Sequence, residues 1–238
     1  MVVVKRELVS LKSGVALETA VAYPPPECHS TRAAFCLHPW SWLGGCMDDP
    51  TIQTIVKLLV RLNIYVVYYN SRGVGRSTGH ASFTGRQEGE DLQELVQHFL
   101  HNEPHITSVT ILGYSYGSLI ATLHPVLAPP IKTSYVLLSY PLTPRGLLTL
   151  FHTRVYSAAL DGLLDDSRAN VLIIYGDRDD FTGKARYDAW SEMLQETSEA
   201  KARLDIVSVA GAGHFWRSNS SRTTLRRTLE DWLLIVIG

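Results

Sequence analysis

Side chains of the three kinds that cooperate in nucleophilic catalysis stand close to glycines in this chain: Ser115, the aspartates Asp177, Asp179 and Asp180, and His214. A serine hydroxyl is a weak nucleophile near neutral pH. It needs a base to take its proton, and the base needs an acid to orient it. Ser115 sits in Gly113-Tyr114-Ser115-Tyr116-Gly117, a G-x-S-x-G pattern. Neighbours without a Cβ let the chain turn sharply around the serine and hold it in a strained conformation. His214 follows Gly211-Ala212-Gly213, and the acid lies in Gly176-Asp177-Arg178-Asp179-Asp180. Taken singly, each has a plain structural explanation. The serine is then incidental to a glycine-rich turn, the histidine a surface or hydrogen-bonded residue, and an aspartate after a strand a turn former. The three in the order serine, acid, histidine favour chemistry.

The elements around them must do the positioning. Ser108 to Leu112 reads as a buried β-branched strand entering the serine turn. Ser118 to Leu127 reads as a helix leaving it, stopped by Pro129-Pro130. Strand, sharp turn and helix make a nucleophile elbow, with the serine near the positive end of the helix. Asn170–Tyr175 and Leu204–Val209 read as strands that end at the acid and at the histidine. In open α/β sheets, sites form at the C-terminal edges of the strands. Further strands are expected at 2–11, 15–23, 32–37, 64–69 and 133–139, with helices at 50–61, 87–100, 184–195 and 221–236. The fold class is therefore α/β. It has a mostly parallel central sheet of about eight strands, covered by helices on both faces.

Two more motifs give the pattern a family. Leu37-His38-Pro39-Trp40-Ser41-Trp42-Leu43-Gly44-Gly45 resembles the oxyanion loop of α/β-hydrolases. Asn70-Ser71-Arg72-Gly73-Val74-Gly75-Arg76-Ser77 is similar to their Arg-Gly-x-Gly-x-Ser loop. With the elbow, the chain resembles a compact α/β-hydrolase over roughly residues 3 to 236, close to the serine aminopeptidase-like and dienelactone-hydrolase-like members. Many members carry an aspartate where this chain has Asn70. The resemblance implies a Ser115, Asp179, His214 triad, because Asp179 matches the family's Gly-x-x-Asp spacing; Asp177 and Asp180 are the alternatives. It also implies an oxyanion hole from the backbone N–H groups of Trp40 and Tyr116, with Ser41 as a further candidate. His38 is expected to brace its loop by hydrogen bonds. Arg72 is expected either to brace loops or to bind a substrate carboxylate.

In this architecture a cap is usually inserted between the strand ending at Ser139 and the one starting at Asn170. Here that interval, about 140–169, has room for one or two short helices and no separate lid domain. One domain, 1–238, is expected. Tyr140, Phe151, Tyr156 and Phe181 are candidates to line an acyl pocket, or else to pack the cap onto the sheet.

The rest of the sequence bounds the partners. The 238 residues are 45% hydrophobic and 19% charged with net charge −1, an ordinary globular composition that gives no reason to expect nucleic acid. Met1–Val4 is too short for a signal-peptide core, and no apolar run reaches membrane-spanning length. No stable membrane insertion and a cytoplasmic location are expected. Cys28, Cys36 and Cys46 cannot all pair and lack a zinc spacing; they read as free thiols, Cys36 as core packing. Asn219-Ser220-Ser221 matches a glycosylation sequon without a secretory context. No metal or organic cofactor is implied. The function expected is hydrolysis of an ester-like bond (ester, thioester or amide) in a small acyl substrate. The alternative is a non-hydrolytic protein of the same fold: an acyltransferase, a lyase or a ligand-binding module.

Overall fold

Strands β1 (Val3–Ser10) and β2 (Ala16–Tyr23) form an antiparallel pair turning through Ser13-Gly14. Gly14 takes φ 82°, a conformation that favours glycine. The computed structural model describes residues 3–25, 27, 29–197 and 202–236. Strand β2 continues antiparallel onto β4 (Tyr65–Tyr69). From there β3 (Arg32–Leu37), β5 (Ser108–Tyr114), β6 (Lys132–Leu138), β7 (Ala169–Gly176) and β8 (Arg203–Val209) extend the sheet in parallel. The order is β1-β2-β4-β3-β5-β6-β7-β8, an eight-stranded, mostly parallel sheet.

Residues of the inner strands alternate between the two faces, and each face there is buried under its own helices, while the edge strands β1 and β8 are more exposed. Ala33, Phe35, Val109 and Ile111 pack with Leu92, Leu95 and Phe99 of α2 (Arg86–Asn102), and with α3 (Tyr116–Thr122), α5 (Thr153–Leu164) and α6 (Lys184–Thr197). Ala34, Cys36, Leu112 and Tyr114 face α1 (Pro50–Arg61) and α7 (Asn219–Val236). Near-continuous apolar strands are what burial on both faces requires. Helix α1 starts where the Asp49 carboxylate accepts from the N–H groups of Thr51 and Ile52, with Pro50 next to the cap.

The helix after the serine is shorter than expected. It ends at Thr122 rather than near Leu127. Pro125 supplies the reason: it has no N–H, its ring would meet the carbonyl four residues back, and it disfavours helical geometry at His124. The segment between β6 and β7 holds two short helices, α4 (Arg145–Leu148) and α5.

Cys36 is buried inside β3 and Cys46 is partly exposed; both are free, and burial pushes the Cys36 thiol up to about 12. Cys28 lies outside the described residues. Among the described residues, no helix is long and apolar enough to cross a membrane.

Candidate active site

Parallel register brings the site together. Leu37 of β3 pairs with Gly113 of β5, and Leu138 of β6 with Tyr114, so three strands end at one level. There β5 turns into α3 through Ser115, which has φ 54° and ψ −120°. That is an unfavourable region for a residue with a Cβ. The glycines on either side are steric necessities. A Cβ on Gly113 would stand 2.2 Å from the Gly117 carbonyl oxygen, and one on Gly117 would stand 2.6 Å from that of Leu37. The Ser115 N–H is anchored on the Leu138 carbonyl at 2.8 Å.

The loops after β7 and β8 bring the other two groups to the serine. His214 Nε2 lies 2.9 Å from Ser115 Oγ, and His214 Nδ1 lies 2.7 Å from Asp179 Oδ2. All three residues are buried. The second Asp179 oxygen accepts from the N–H groups of Phe181 and Thr182, each at 2.9 Å, so the carboxylate is held on both sides. Thr182 also bonds Leu142 and Thr143, tying the acid loop to the segment after β6. The Tyr114 hydroxyl donates to the His214 carbonyl at 2.8 Å and ties the histidine loop to the elbow. Phe181 meets the imidazole edge-on at 4.6 Å, and Phe215 does so at 5.4 Å.

The other two aspartates go elsewhere. Asp177 accepts from the Gly211 N–H at 2.7 Å, which ties the loop after β7 to the loop after β8, and Asp180 is exposed. Trp40 lines the cavity beside Ser115, in the loop that follows β3. The Tyr116 side chain is buried in the core with Ile120 and Tyr156, leaving its backbone as the part nearest the turn. As the first residue of α3, Tyr116 has an N–H without an acceptor inside the helix.

His38 braces two loops. Its Nδ1–H donates to the Pro39 carbonyl at 2.6 Å, and its Nε2 accepts from the Ser71 N–H at 3.0 Å. Burial lowers its pKa from 6.5 to about 4, partly opposed by the bond to Pro39, so the ring is neutral. Arg72 is a brace as well. It forms a two-pronged pair with Asp91 at 2.7 and 2.6 Å and donates to Gln87 at 2.7 Å, fixing the loop after β4 to α2. It does not face the cavity. Asn70 accepts from the Met47 N–H and donates to Glu18, both at 2.8 Å, so this site uses an amide for its donor as well as its acceptor.

The cavity over Ser115 has a volume of about 230 Å³ and is mostly apolar, walled by Trp40, Leu43, Pro141, Leu148, Phe181 and Phe215, with Gly45 and Asp49 also on its boundary. Of the four aromatic candidates from the sequence, Phe181 alone lines it. Tyr140 is buried and stacks on Trp190 at 5.2 Å, and Tyr156 is buried with its hydroxyl on the Thr84 carbonyl. Phe151 stands in solvent. Phe215, missed from the sequence, was signalled by its place next to His214. Leu148 and Pro141 had no such marker. Among the described residues, no group of three or more His, Cys, Asp or Glu side chains is placed to hold a metal ion.

A family model described as serine aminopeptidase, S33, matches residues 44–210. The match includes Ser115 and Asp179 and stops short of His214 and Trp40, whose placement rests on the geometry above. A lidless α/β serine hydrolase of Xanthomonas campestris aligns with TM-score 0.71 at 23% identity, over 97% of this chain and 93% of that one. An esterase of Pyrococcus furiosus aligns with TM-score 0.74 at 17% identity, over 100% and 92%. Est1E of Butyrivibrio proteoclasticus, solved with ferulic acid bound, aligns with TM-score 0.75 at 16% identity, over 97% and 99%. The fold is the α/β-hydrolase fold without a lid.

Proposed function

The chain belongs to the serine aminopeptidase, S33, family of α/β-hydrolases and is esterase-like, and from that premise we propose that it cleaves an ester-like bond of a small acyl substrate through an acyl-enzyme on Ser115. The observation that carries this reading is the buried relay from Ser115 Oγ through His214 to Asp179, with contacts of 2.9 and 2.7 Å at an apolar cavity.

The steps follow from the contacts. Ser115 Oγ attacks the carbonyl carbon and gives its proton to His214 Nε2. Asp179 accepts from His214 Nδ1–H, which fixes the tautomer and stabilises the imidazolium. The carbonyl oxygen becomes an oxyanion, held by the N–H groups of Trp40 and Tyr116 near the start of α3. The intermediate collapses, the leaving group takes the proton from Nε2, and water enters by the same route to release the acid. Phe181, Phe215 and Leu148 exclude water around the acyl group. These residues complete the chemistry without a cofactor. The neutral His38 keeps the Trp40 loop in place and takes no part in proton transfer.

At about 230 Å³ the cavity is below the roughly 300–1,000 Å³ common for drug-sized ligands, which supports a small acyl group. The test is steady-state turnover of a panel of acyl esters, thioesters and aminoacyl amides by the parent protein and Ser115→Ala. The ester reading expects hydrolysis by the parent and a loss on the order of 10⁴–10⁶ in kcat for the variant. Equal turnover by a folded Ser115→Ala protein ends it.

A further inference from the structure

The opening of the cavity lies inside an exposed apolar surface. On one side Leu43 lines the cavity and is 67% exposed; next to it, Trp42 stacks on Trp40 at 5.8 Å and meets Phe83 edge-on at 6.4 Å. On the other side Leu148 of α4 lines the cavity, while its neighbour Leu147 turns to solvent. The chain then passes through Leu150 at φ 45° and Phe151 at φ 63°, exposed by 50% and 79%. Left-handed backbone is uncommon for large side chains, and two such residues in succession here hold apolar groups out in water. Phe215 closes the rim, half exposed. Scattered surface apolar residues need no explanation; a patch centred on a site does.

Charge narrows the occupant. The Arg217 guanidinium lies 4.7 Å over the Phe215 ring. Arg186 reaches Thr143, which lines the cavity, and exposed Arg154 follows Phe151 at the start of α5. The acids there are Asp49, which caps α1 at the cavity boundary, and exposed Asp180, fewer than the three arginines, while Asp48 is paired with Arg6. The rim is thus cationic in a chain whose net charge is −1. A protein partner or a second copy seated here would close the opening. A lipid–water interface would leave it fed with substrate. Tryptophan, phenylalanine and arginine together are the residues that settle at such interfaces.

We infer that this rim seats the protein on an anionic lipid–water interface, from which the cavity draws its acyl group. The second half rests on the function proposed above; the docking half does not. The attachment is peripheral, because no described helix can span a bilayer.

The test is flotation with vesicles of phosphatidylcholine, alone or mixed with phosphatidylglycerol. The parent and Ser115→Ala are expected to float equally with the mixed vesicles, since docking needs no chemistry. Phe83→Ser/Leu147→Ser/Phe151→Ser is expected to lose at least about tenfold in partitioning. Its kcat/KM on a soluble acetate ester should stay within about twofold, because none of the three side chains lines the cavity. Arg154→Gln/Arg217→Gln should weaken binding to the mixed vesicles alone, as added salt should. Failure of the parent to float with either vesicle overturns the inference, as does equal flotation by the triple variant. So does a concentration-dependent dimer of the parent that the triple variant loses.

Discussion

Asn70→Asp puts a carboxylate where this chain holds an amide, and it should be strongly destabilising in a pH-dependent way. The amide nitrogen of Asn70 lies 2.8 Å from Glu18 Oε2, which also accepts the Arg76 N–H at 2.8 Å. Those two bonds, the one from Arg76 first, lower the Glu18 pKa although burial raises it, so the parent holds an ionised carboxylate there. The substitution replaces a donor with a second carboxylate. Two like charges 2.8 Å apart repel by about 6 kcal/mol at an effective dielectric of about 20. The cheaper escape is to keep one proton on the pair. For groups with ordinary pKa values near 4, that costs about 4 kcal/mol near pH 7, and about 1.4 kcal/mol less for each pH unit removed. The native variant then holds a proton that its unfolded chain has released, so its stability relative to the parent rises as pH falls. Urea unfolding between roughly pH 5 and 8 reads the slope directly. Adding Glu18→Gln, which removes one of the two charges, should recover more than half of the loss near neutrality. A small, pH-independent loss, or no recovery in the double variant, would refute the reasoning.

Three further outcomes follow from the same contacts. Asp179→Asn should lower kcat by roughly 10⁴, because an amide favours the wrong histidine tautomer, whereas Asp177→Asn and Asp180→Asn should leave ester turnover nearly unchanged; ester kinetics on the three variants would show it. Depression of the His38 pKa to about 4 means that its contribution to stability is complete above about pH 6.5 and is lost as pH falls toward 4, up to roughly 3 kcal/mol, so His38→Gln should flatten the acid limb of a stability–pH curve. Along a p-nitrophenyl ester series, kcat/KM should rise by up to about 0.8 kcal/mol per buried methylene and peak at short or medium acyl chains, since the cavity is about 230 Å³; a continued rise through palmitate would mean a deeper tunnel.

Much of this arrangement was legible in the residues, for local reasons. Steric demand concentrates in Gly113 and Gly117, so the elbow is written in five residues. The inner strands read cleanly because both of their faces are buried, and even the two short helices between β6 and β7 could be anticipated from the length of that interval. What was not legible depends on long-range packing. Tyr140, Tyr156 and Phe181 are alike as aromatic residues near the site, yet only Phe181 turns toward His214, because Tyr140 stacks on Trp190 and Tyr156 reaches Thr84. The pairing of Arg72 with Asp91, 19 residues away, and of Asn70 with Glu18, 52 residues away, leaves no local mark. Helix α3 ends earlier than the Pro129-Pro130 pair alone would require, because Pro125 is the first proline to bar it.

The central claim is that Ser115 is a nucleophile activated by His214, and covalent labelling with a fluorophosphonate tests it most directly. Intact mass and peptide mapping should show one phosphonate on Ser115 in the parent, none in Ser115→Ala, and labelling slowed by orders of magnitude in His214→Ala. No adduct on a folded parent protein, or an adduct on another residue that persists in Ser115→Ala, would contradict the account.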